Sequence, residues 1–417
     1  MAPAKPGTAG LVVTREMRDL LAQPGHLSLE KGGQRLRTLY STHSCAFNAN
    51  MLNEFALACY VADLDYVKMV RNFDIHTRRR GLHRCLLVAG AQRIASIDGS
   101  PMHHSDVLKF LLSVGTPPDV PDIVGSTALH HATMNNNAKL DLARLLLENG
   151  ANPNYQDRYG CVPLFGSMQS NQVGAVELLM EFGADVTIAD ADGIVPQSFC
   201  LKCGPQVTAA LQKWIRRRTG TEAPMEERKC DNCGKLAEGT DVKLKRCAAC
   251  RTTCYCSKEC QRAHWKVHKP NCSPFSESNT VTLTPSYYRN GTLMPMAATM
   301  RNLTGISSEQ PKFTDTYAAM PKPTTQDKSM IIKVQVPWSM EAGVPSRSPE
   351  TPLMIYNRKR DFGCVVNRAS DPAAYDRIED VVRKRGVGGA KGYFPAELVN
   401  PGKLVVKVDQ ILAEQPF

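Results

Sequence analysis

Forty-three residues of this 417-residue chain, from Cys230 to Cys272, hold eight of its fifteen cysteines and two histidines. The order is Cys230-x2-Cys233-x13-Cys247-x2-Cys250-x5-Cys256-x3-Cys260-x7-His268-x3-Cys272. These are four pairs of soft ligands at chelating spacing. Zinc takes thiolate and imidazole in tetrahedral sites, so eight such ligands complete two closed sites. Cys256 and Cys260, like His268 and Cys272, are four apart and share one side of a helix. A helix rises about 12 Å from Cys260 to His268. Ligands of one zinc lie only about 3–4 Å apart, given bonds of ~2.0–2.3 Å. The two pairs therefore serve different ions, each completed by one of the CxxC pairs. Spacing does not say which. A segment this short and polar buries too little apolar area to fold without metal.

The segment from Cys256 to Cys272, with Gln261 and Trp265 one turn apart, resembles the MYND-type zinc finger. That resemblance implies an interleaved pairing: Cys230, Cys233, Cys256 and Cys260 on one zinc, and Cys247, Cys250, His268 and Cys272 on the other. The gap between Cys233 and Cys247 is a little long for the family and contains Gly234 and Gly239, which suit a looser loop. The resemblance also implies that Gln261 and Trp265 line a shallow groove for proline-containing peptides. An aromatic wall and an amide donor suit such an extended strand. Cys254 and His264 are expected to be non-ligands.

Before this module the sequence repeats itself. Asp122, Gly125, Thr127, Leu129 and His130 lead to Leu145-Leu146-Leu147 and Gly150-Ala151-Asn152. Asp157, Gly160, Pro163 and Leu164 lead to Leu178-Leu179 and Gly183-Ala184-Asp185, and Asp190, Gly193 and Pro196 begin a third unit. The marker glycines are 35 and then 33 residues apart. A period near 33 suits a turn followed by two short helices that must stack to bury their apolar faces. The residues resemble ankyrin repeats, in which His130 would bond neighbouring turns. Earlier, looser copies fit Phe55 to Val70 and Gly81 to Gly115, with an insertion near Ser96 to Ser105. Val207 to Arg218 fits a closing helix. Cys200 and Cys203 form a CxxC without a partner pair and suit buried structural thiols.

The expected organisation is multidomain: a 1–50 N-terminal extension, an α-helical ankyrin solenoid over 51–220 (clearest over 122–193), a two-zinc finger over 228–272, a linker over 273–327, and a small α+β domain over 328–417. In the last, Ile332, Val334 and Val336 alternate with Lys333 and Gln335, as in a half-buried strand. Leu353–Tyr356, Phe362–Val366 and Leu404–Val408 are further strand candidates. Asp371-Pro372 opens a helix whose stripe is Ala374, Ile378, Val381 and Val382. Gly386 to Gly392 lacks the order of a phosphate loop and follows a helix. The Ser-, Thr- and Pro-rich stretch after Cys272 includes Pro321-Lys-Pro323 and two sequons, at Asn290 and Asn302.

Composition narrows the function. The net charge is +11, but the basic runs at 78–80, 216–218, 358–360 and 383–385 are short and scattered. No apolar run has the roughly 18–20 residues of a membrane span. Cysteines grouped in metal-type pairs suit a reducing compartment, nucleus or cytoplasm. The reading is a zinc-binding interaction scaffold: a folded partner on the repeats, a proline-containing peptide on the finger, and no catalysis. One alternative is an enzyme, such as a methyltransferase, with an accessory finger. After His268 the chain has no histidine, so a two-histidine iron site cannot come from the tail. Another alternative is a nucleic-acid binder using Lys243, Lys245, Arg246, Arg251, Lys258, Arg262, Lys266 and Lys269, although the finger is not of the CxxC…HxxxH class whose helix enters the major groove.

Overall fold

The computed structural model describes residues 11–71, 103–134, 138–220, 229–235, 244–287, 329–337, 351–358, 362–409 and 411–412. They fall into two compact units that divide between Trp214 and Ile215. The expected elements at Gly81–Ala91, the linker from 288 onward, its sequons and Pro321-Lys-Pro323 lie outside the described residues.

The first unit is a helical stack. The helices α1 Arg15–Leu21 and α2 Gly33–Cys45 precede α3 Glu54–Tyr60 and α4 Leu64–Arg71. Next come α5 His104–Ser113, the pair α6 Ala128–Thr133 and α7 Leu140–Glu148, and the pair α8 Pro163–Gln169 and α9 Val173–Glu181. Helices α10 Pro196–Cys203 and α11 Pro205–Thr219 close the series. Inner helices stack α6 on α8 on α10, and outer helices α5 on α7 on α9. Leu142, Ala143, Leu146 and Leu147 of α7 are buried, while Leu145 of the leucine triplet is only partly covered. Each buried leucine contributes roughly 1.5–3 kcal/mol of burial. The helix ends where the Ala151 N–H returns 2.9 Å to the Leu146 carbonyl, which requires the left-handed Gly150 at φ 88°. Cys200 and Cys203 are buried in α10 and donate their S–H groups to the Gln197 and Phe199 carbonyls.

The turns between repeats form one hydrogen-bonded row. Asp122 Oδ1 accepts from the Val124 and Ser126 N–H groups, each at 2.9 Å. Asp157 accepts likewise from Tyr159 and Cys161, and Asp190 from Asp192 and Ile194. Successive turns are joined by Arg158 N–H to Val124 O, 2.7 Å, and Ala191 N–H to Tyr159 O, 2.9 Å. This spacing explains the repeated glycine. A Cβ on Gly125 would lie 2.8 Å from the Arg158 nitrogen, and its φ of +82° already disfavours any other residue. His130 ties the same row to the helices. Its Nδ1 accepts from the Thr127 N–H at 3.1 Å, so Nε2 carries the proton toward the Cys161 carbonyl at 3.2 Å.

The segment read as an N-terminal extension is a folded cover on these turns. Met17, Leu27 and Leu36 are buried against Val124 and Tyr159. The Arg158 guanidinium donates to the carbonyls of Leu21, Gln23 and Gly25. The Leu27 N–H joins the Arg158 carbonyl at 2.9 Å, Tyr40 O–H reaches Asp122 at 2.7 Å, and Leu29 N–H reaches Asp192 at 2.8 Å. Arg37 lies 4.2 Å over the Tyr159 ring. Thus all three turn tips are held by the chain's own first helices.

The second unit carries the cysteine module and an antiparallel sheet. Its strands are β1 Lys245–Arg246, β2 Cys254–Tyr255, β3 Thr280–Leu283, β4 Ser329–Gln335, β5 Leu353–Asn357, β6 Gly363–Val366, β7 Lys391–Asn400 and β8 Lys403–Lys407. Strands β1 and β2 pair with each other, and the six-stranded sheet runs β3-β8-β7-β4-β5-β6. Helix α12 Lys258–His268 belongs to the cysteine module. Helix α13 Pro372–Arg385 contacts β3 and β7, and its Tyr375, Ile378 and Val382 join the core with Ile332, Val334, Ile355 and Phe394. Asp371 caps α13 by accepting the Ala374 N–H at 3.0 Å.

Three sequence expectations change here. The strand β3 lies inside the expected linker and forms the sheet's edge on β8. The strand β7 matches none of the strand candidates above, and it carries Pro395, a residue that disfavours a central strand. The β8 ladder ends at the Ala396–Val406 pair, next to Pro395, so its missing N–H falls past that ladder. Lys333 is not on a solvent face. It is 3% exposed, and its Nζ lies 5.1 Å from the Tyr356 ring centroid and 5.9 Å from that of Tyr393, its cross-strand neighbours. Gly386 to Gly392 is the tight turn from α13 into β7, with Gly388 and Gly389 both at positive φ.

Two expectations follow. Arg158→Ala removes three charged donors from the cover, which should speed tryptic cleavage at Lys31 and Arg35 about tenfold or more. Limited proteolysis with a circular-dichroism control should show this while the repeats keep their helical signal. Burial pushes His130 from 6.5 down to about 4. Its folded value lies below the unfolded one, so its contribution is full above pH 6.5. It is lost as pH falls from 6.5 toward 4, by at most about 3 kcal/mol. Asp157, raised by burial to about 7, acts with the opposite sign. Comparison with His130→Gln cancels that effect. The stability gap between wild type and variant, from denaturant titrations, should narrow across this window.

Candidate metal centre

Among its described residues the cysteine module has almost no regular structure of its own beyond α12. Each of β1 and β2 is two residues long. Two tight turns present the CxxC pairs. In the first, the Gly234 N–H returns to the Cys230 carbonyl at 2.7 Å, and the Cys230 N–H reaches Lys235 O at 2.8 Å. In the second, the Arg251 N–H returns to the Cys247 carbonyl at 2.9 Å, with Arg251 at φ 59°. Helix α12 starts at Ser257, whose Oγ accepts the Cys260 N–H at 3.2 Å. This cap sets the first ligand-bearing turn of the helix.

The eight ligand atoms gather as two groups. One holds Cys230, Cys233, Cys256 and Cys260, and the other holds Cys247, Cys250, His268 and Cys272. Within each group all donor atoms lie within 4.8 Å of one another. Cys233 and Cys256 sulfurs are 3.5 Å apart, and those of Cys256 and Cys260 3.4 Å apart. The Cys250 sulfur lies 3.5 Å from His268 Nε2. A tetrahedron with bonds of ~2.3 Å has edges of about 3.8 Å, so the donors fit a zinc ion closely. The chemistry agrees: one all-sulfur set and one set of three sulfurs and an imidazole, both of structural type. With four protein ligands each, neither site keeps a position for substrate water.

Neighbouring groups orient the ligands. Thr253 Oγ1 lies 3.1 Å from His268 Nδ1, which leaves Nε2 facing the sulfurs. Thr252 donates its hydroxyl to the Cys250 sulfur at 3.1 Å. Both threonines escaped the sequence reading, because no spacing rule marks a second layer of partners. Burial opposes ionisation of Cys230, yet the N–H groups of Cys233, Cys256 and Asn232 outweigh it and bring the thiol to about 6. Burial likewise opposes ionisation of Cys250, and the Thr252 hydroxyl with the Thr253 and Thr252 N–H groups brings it to about 6. Cys256 is raised to about 12, chiefly through its contact with Cys260, and Cys272 to about 12 by burial and its cysteine neighbours. One thiol in each set is thus poised to lose its proton first. A divalent cation supplies the charge that lets the others follow.

The two spare candidates lie outside both groups. Cys254 is a buried strand residue, its sulfur 3.8 Å from the Thr252 carbonyl. His264 Nδ1 is 3.1 Å from the Tyr255 hydroxyl, and its ring stacks on His268. Tyr255, 2% exposed, packs with Cys230, Cys247 and Cys250 from both groups. Gln261 is half-buried on α12, whereas Trp265 is 39% exposed although its ring meets His268 edge-on at 5.7 Å.

The module is anchored to the sheet. Arg251, beside the ligand Cys250, forms an ion pair of 2.6 Å with Glu397 of β7 and lies 4.8 Å over the Phe275 ring. Phe275 N–H reaches the Ala249 carbonyl at 3.3 Å. Lys407 of β8, 0% exposed, donates to the Ser273 carbonyl at 2.7 Å.

The purified chain should release two zinc ions when the protein is denatured with a chromogenic chelator present. A single ion would overturn the two-site arrangement. Cys260→Ser should reduce the count and open the module to proteolysis, while the helical signal of the repeats stays nearly unchanged.

Comparison with known proteins agrees with this geometry. The family model for ankyrin repeats, in three copies, matches residues 95–190, and that for the MYND finger matches 230–272. The SET domain-containing protein 14 of Caenorhabditis elegans is 47% identical over 53 residues, 12% of this chain and 11% of that protein. N-lysine methyltransferase SMYD2 of Bos taurus is 39% identical over 62 residues, 13% of each chain. A putative ankyrin repeat protein of Rickettsia felis is 32% identical over 152 residues, 34% of this chain and 44% of that protein. The chain thus spans less than half the length of each of these relatives. With its turn row, its paired helices and its two interleaved donor sets, this chain is an ankyrin-repeat protein with a MYND-type zinc finger.

Proposed function

We propose that this chain is a non-catalytic adaptor whose MYND finger captures proline-containing peptides through Gln261 and Trp265, while its ankyrin repeats hold a folded partner. The observation that carries the reading is the exposure of Trp265 on α12. The side chain touches His268, yet 39% of it stays open to solvent beside Gln261. An exposed indole next to an amide offers proline rings an apolar wall and the peptide backbone a hydrogen-bond partner.

The repeats contribute a surface that differs from the usual expectation. The turn tips at Val124 and Tyr159 are buried under α1 and α2. A folded partner is therefore left the helices, where Gln197, Ser198 and Lys202 of α10 are exposed. The four-ligand donor sets support a structural role for zinc rather than hydrolysis. The seven cysteine ligands need reducing conditions, which suits the nucleus or cytoplasm and a part in regulatory assemblies there. N-lysine methyltransferase SMYD2 and the SET domain-containing protein 14 align over stretches of 62 and 53 residues only, so what their names state belongs to those proteins.

A displayed library of twelve-residue peptides with a fixed central proline tests this reading. The zinc-loaded full chain should retain a defined set of sequences. Trp265→Ala should weaken their binding at least about 30-fold, as for a buried aromatic anchor, with two zinc ions still bound. Loss of zinc with the tryptophan would make it a structural cover instead.

A further inference from the structure

Helix α12 presents more than an indole. At about 100° per residue, Gln261, Trp265, Lys258, Arg262 and Lys266 follow one another around a single arc of about 140°. Cys260 faces the opposite side, while His268 borders the arc next to Gln261, where its ring meets Trp265. Lys258, Arg262 and Lys266 are four residues apart in sequence and all exposed, and Lys269 continues the row into the turn after the helix. None of these four makes an ion pair with the described residues. Glu259, the one acid in α12, falls about 20° past Lys266, at the end of the arc away from Gln261 and Trp265.

We propose that the peptide taken by this helix carries aspartate or glutamate residues beside its proline, and that Lys258, Arg262 and Lys266 read them. This rests on the peptide reading of Gln261 and Trp265 and adds the partner's charge to it. Lys258 to Lys266 spans about 12 Å, the reach of about four extended residues at ~3.3 Å each. A peptide lying along α12 with its proline at Trp265 therefore meets all three cations on its flank. Charge complementarity of this kind sets partner choice and encounter rate more than raw affinity. Duplex nucleic acid would also meet the cations. The arc is a single narrow row bordered by an indole and an amide, which matches the width of one extended strand.

The proline library, panned on the zinc-loaded full chain, tests the proposal. Sequences retained by wild type and lost by Trp265→Ala should be enriched in Asp and Glu on one side of the proline. Acidic members should bind about tenfold tighter than versions with serine in place of the acids, as expected for three exposed charge pairs. That advantage should vanish in 0.5 M salt and in the triple variant Lys258→Gln, Arg262→Gln, Lys266→Gln. The salt series uses the unaltered protein and decides the point even where the triple variant loses zinc. Trp265-dependent sequences with no acidic enrichment overturn this inference and leave the peptide reading standing. An absence of Trp265-dependent sequences overturns both. Labelled duplex DNA that binds through the same three cations, with acidic peptides gaining nothing, also overturns it and makes the row a nucleic-acid surface.

Discussion

The meeting of two interleaved sets of four metal-type ligands is the constraint on which the cysteine module depends. Among its described residues the finger contains two strands of two residues each, one α-helix and a short 3-10 turn at Lys269–Asn271. Its buried residues are mostly the ligands themselves, around Tyr255. Such a core cannot offset the entropy of ordering the turns that present the ligands. Structural zinc contributes an apparent 10–16 kcal/mol, roughly, in small fingers, which exceeds the stability of most whole domains. Interleaving matters because each ion joins the first half of the module to the second. The knuckle at Cys247 and Cys250 then passes this order outward, since Arg251 binds Glu397 and Phe275 of the sheet side.

The first unit depends on a different device, the row of carboxylate-capped turns. Asp122, Asp157 and Asp190 each accept two N–H groups of their own turn. This leaves the remaining backbone groups aimed at neighbouring turns, so the row propagates by one hydrogen bond per repeat. The same regularity makes the tips sticky, with an aromatic at Tyr159 and open backbone at Arg158. The chain answers this with its own first helices. A solenoid needs an end or edge that water tolerates, and here the cover also removes Val124 and Tyr159 from the surface open to partners.

Much of this was legible because the signals are local. Ligand spacing named all eight donors, and the period of glycines and leucine runs marked the stacked helices. The closing helix, the cap at Asp371 and the stripe through Ile378 and Val382 were equally readable. Less was legible where pairing is non-local. The strand β3 is a four-residue Thr-Val-Thr-Leu run that becomes a strand only on contact with β8. The strand β7 hides behind Pro395, whose missing donor falls past the end of the β8 ladder. Lys333 read as solvent-facing, and the tyrosines on β5 and β7 that cover it are more than twenty residues away in sequence. Thr252 and Thr253 carry no ligand spacing at all, although they orient Cys250 and His268.

Sequence by itself determined the local logistics of this protein: which side chains are suited to hold metal, into how many sets they divide, where repeats begin and where helices stop. Those properties arise within a few residues, from chelate spacing, glycine at positive φ and side-chain capping. Only the tertiary structure decided that the donor sets meet in two compact tetrahedra, that residues 11–45 close over the repeat turns, and that Trp265 stays open while His268 beneath it is buried. Each of these is a contact between residues far apart in sequence. Local pattern cannot encode such contacts, because they are selected by which buried faces and unpaired polar groups satisfy one another once the chain is compact.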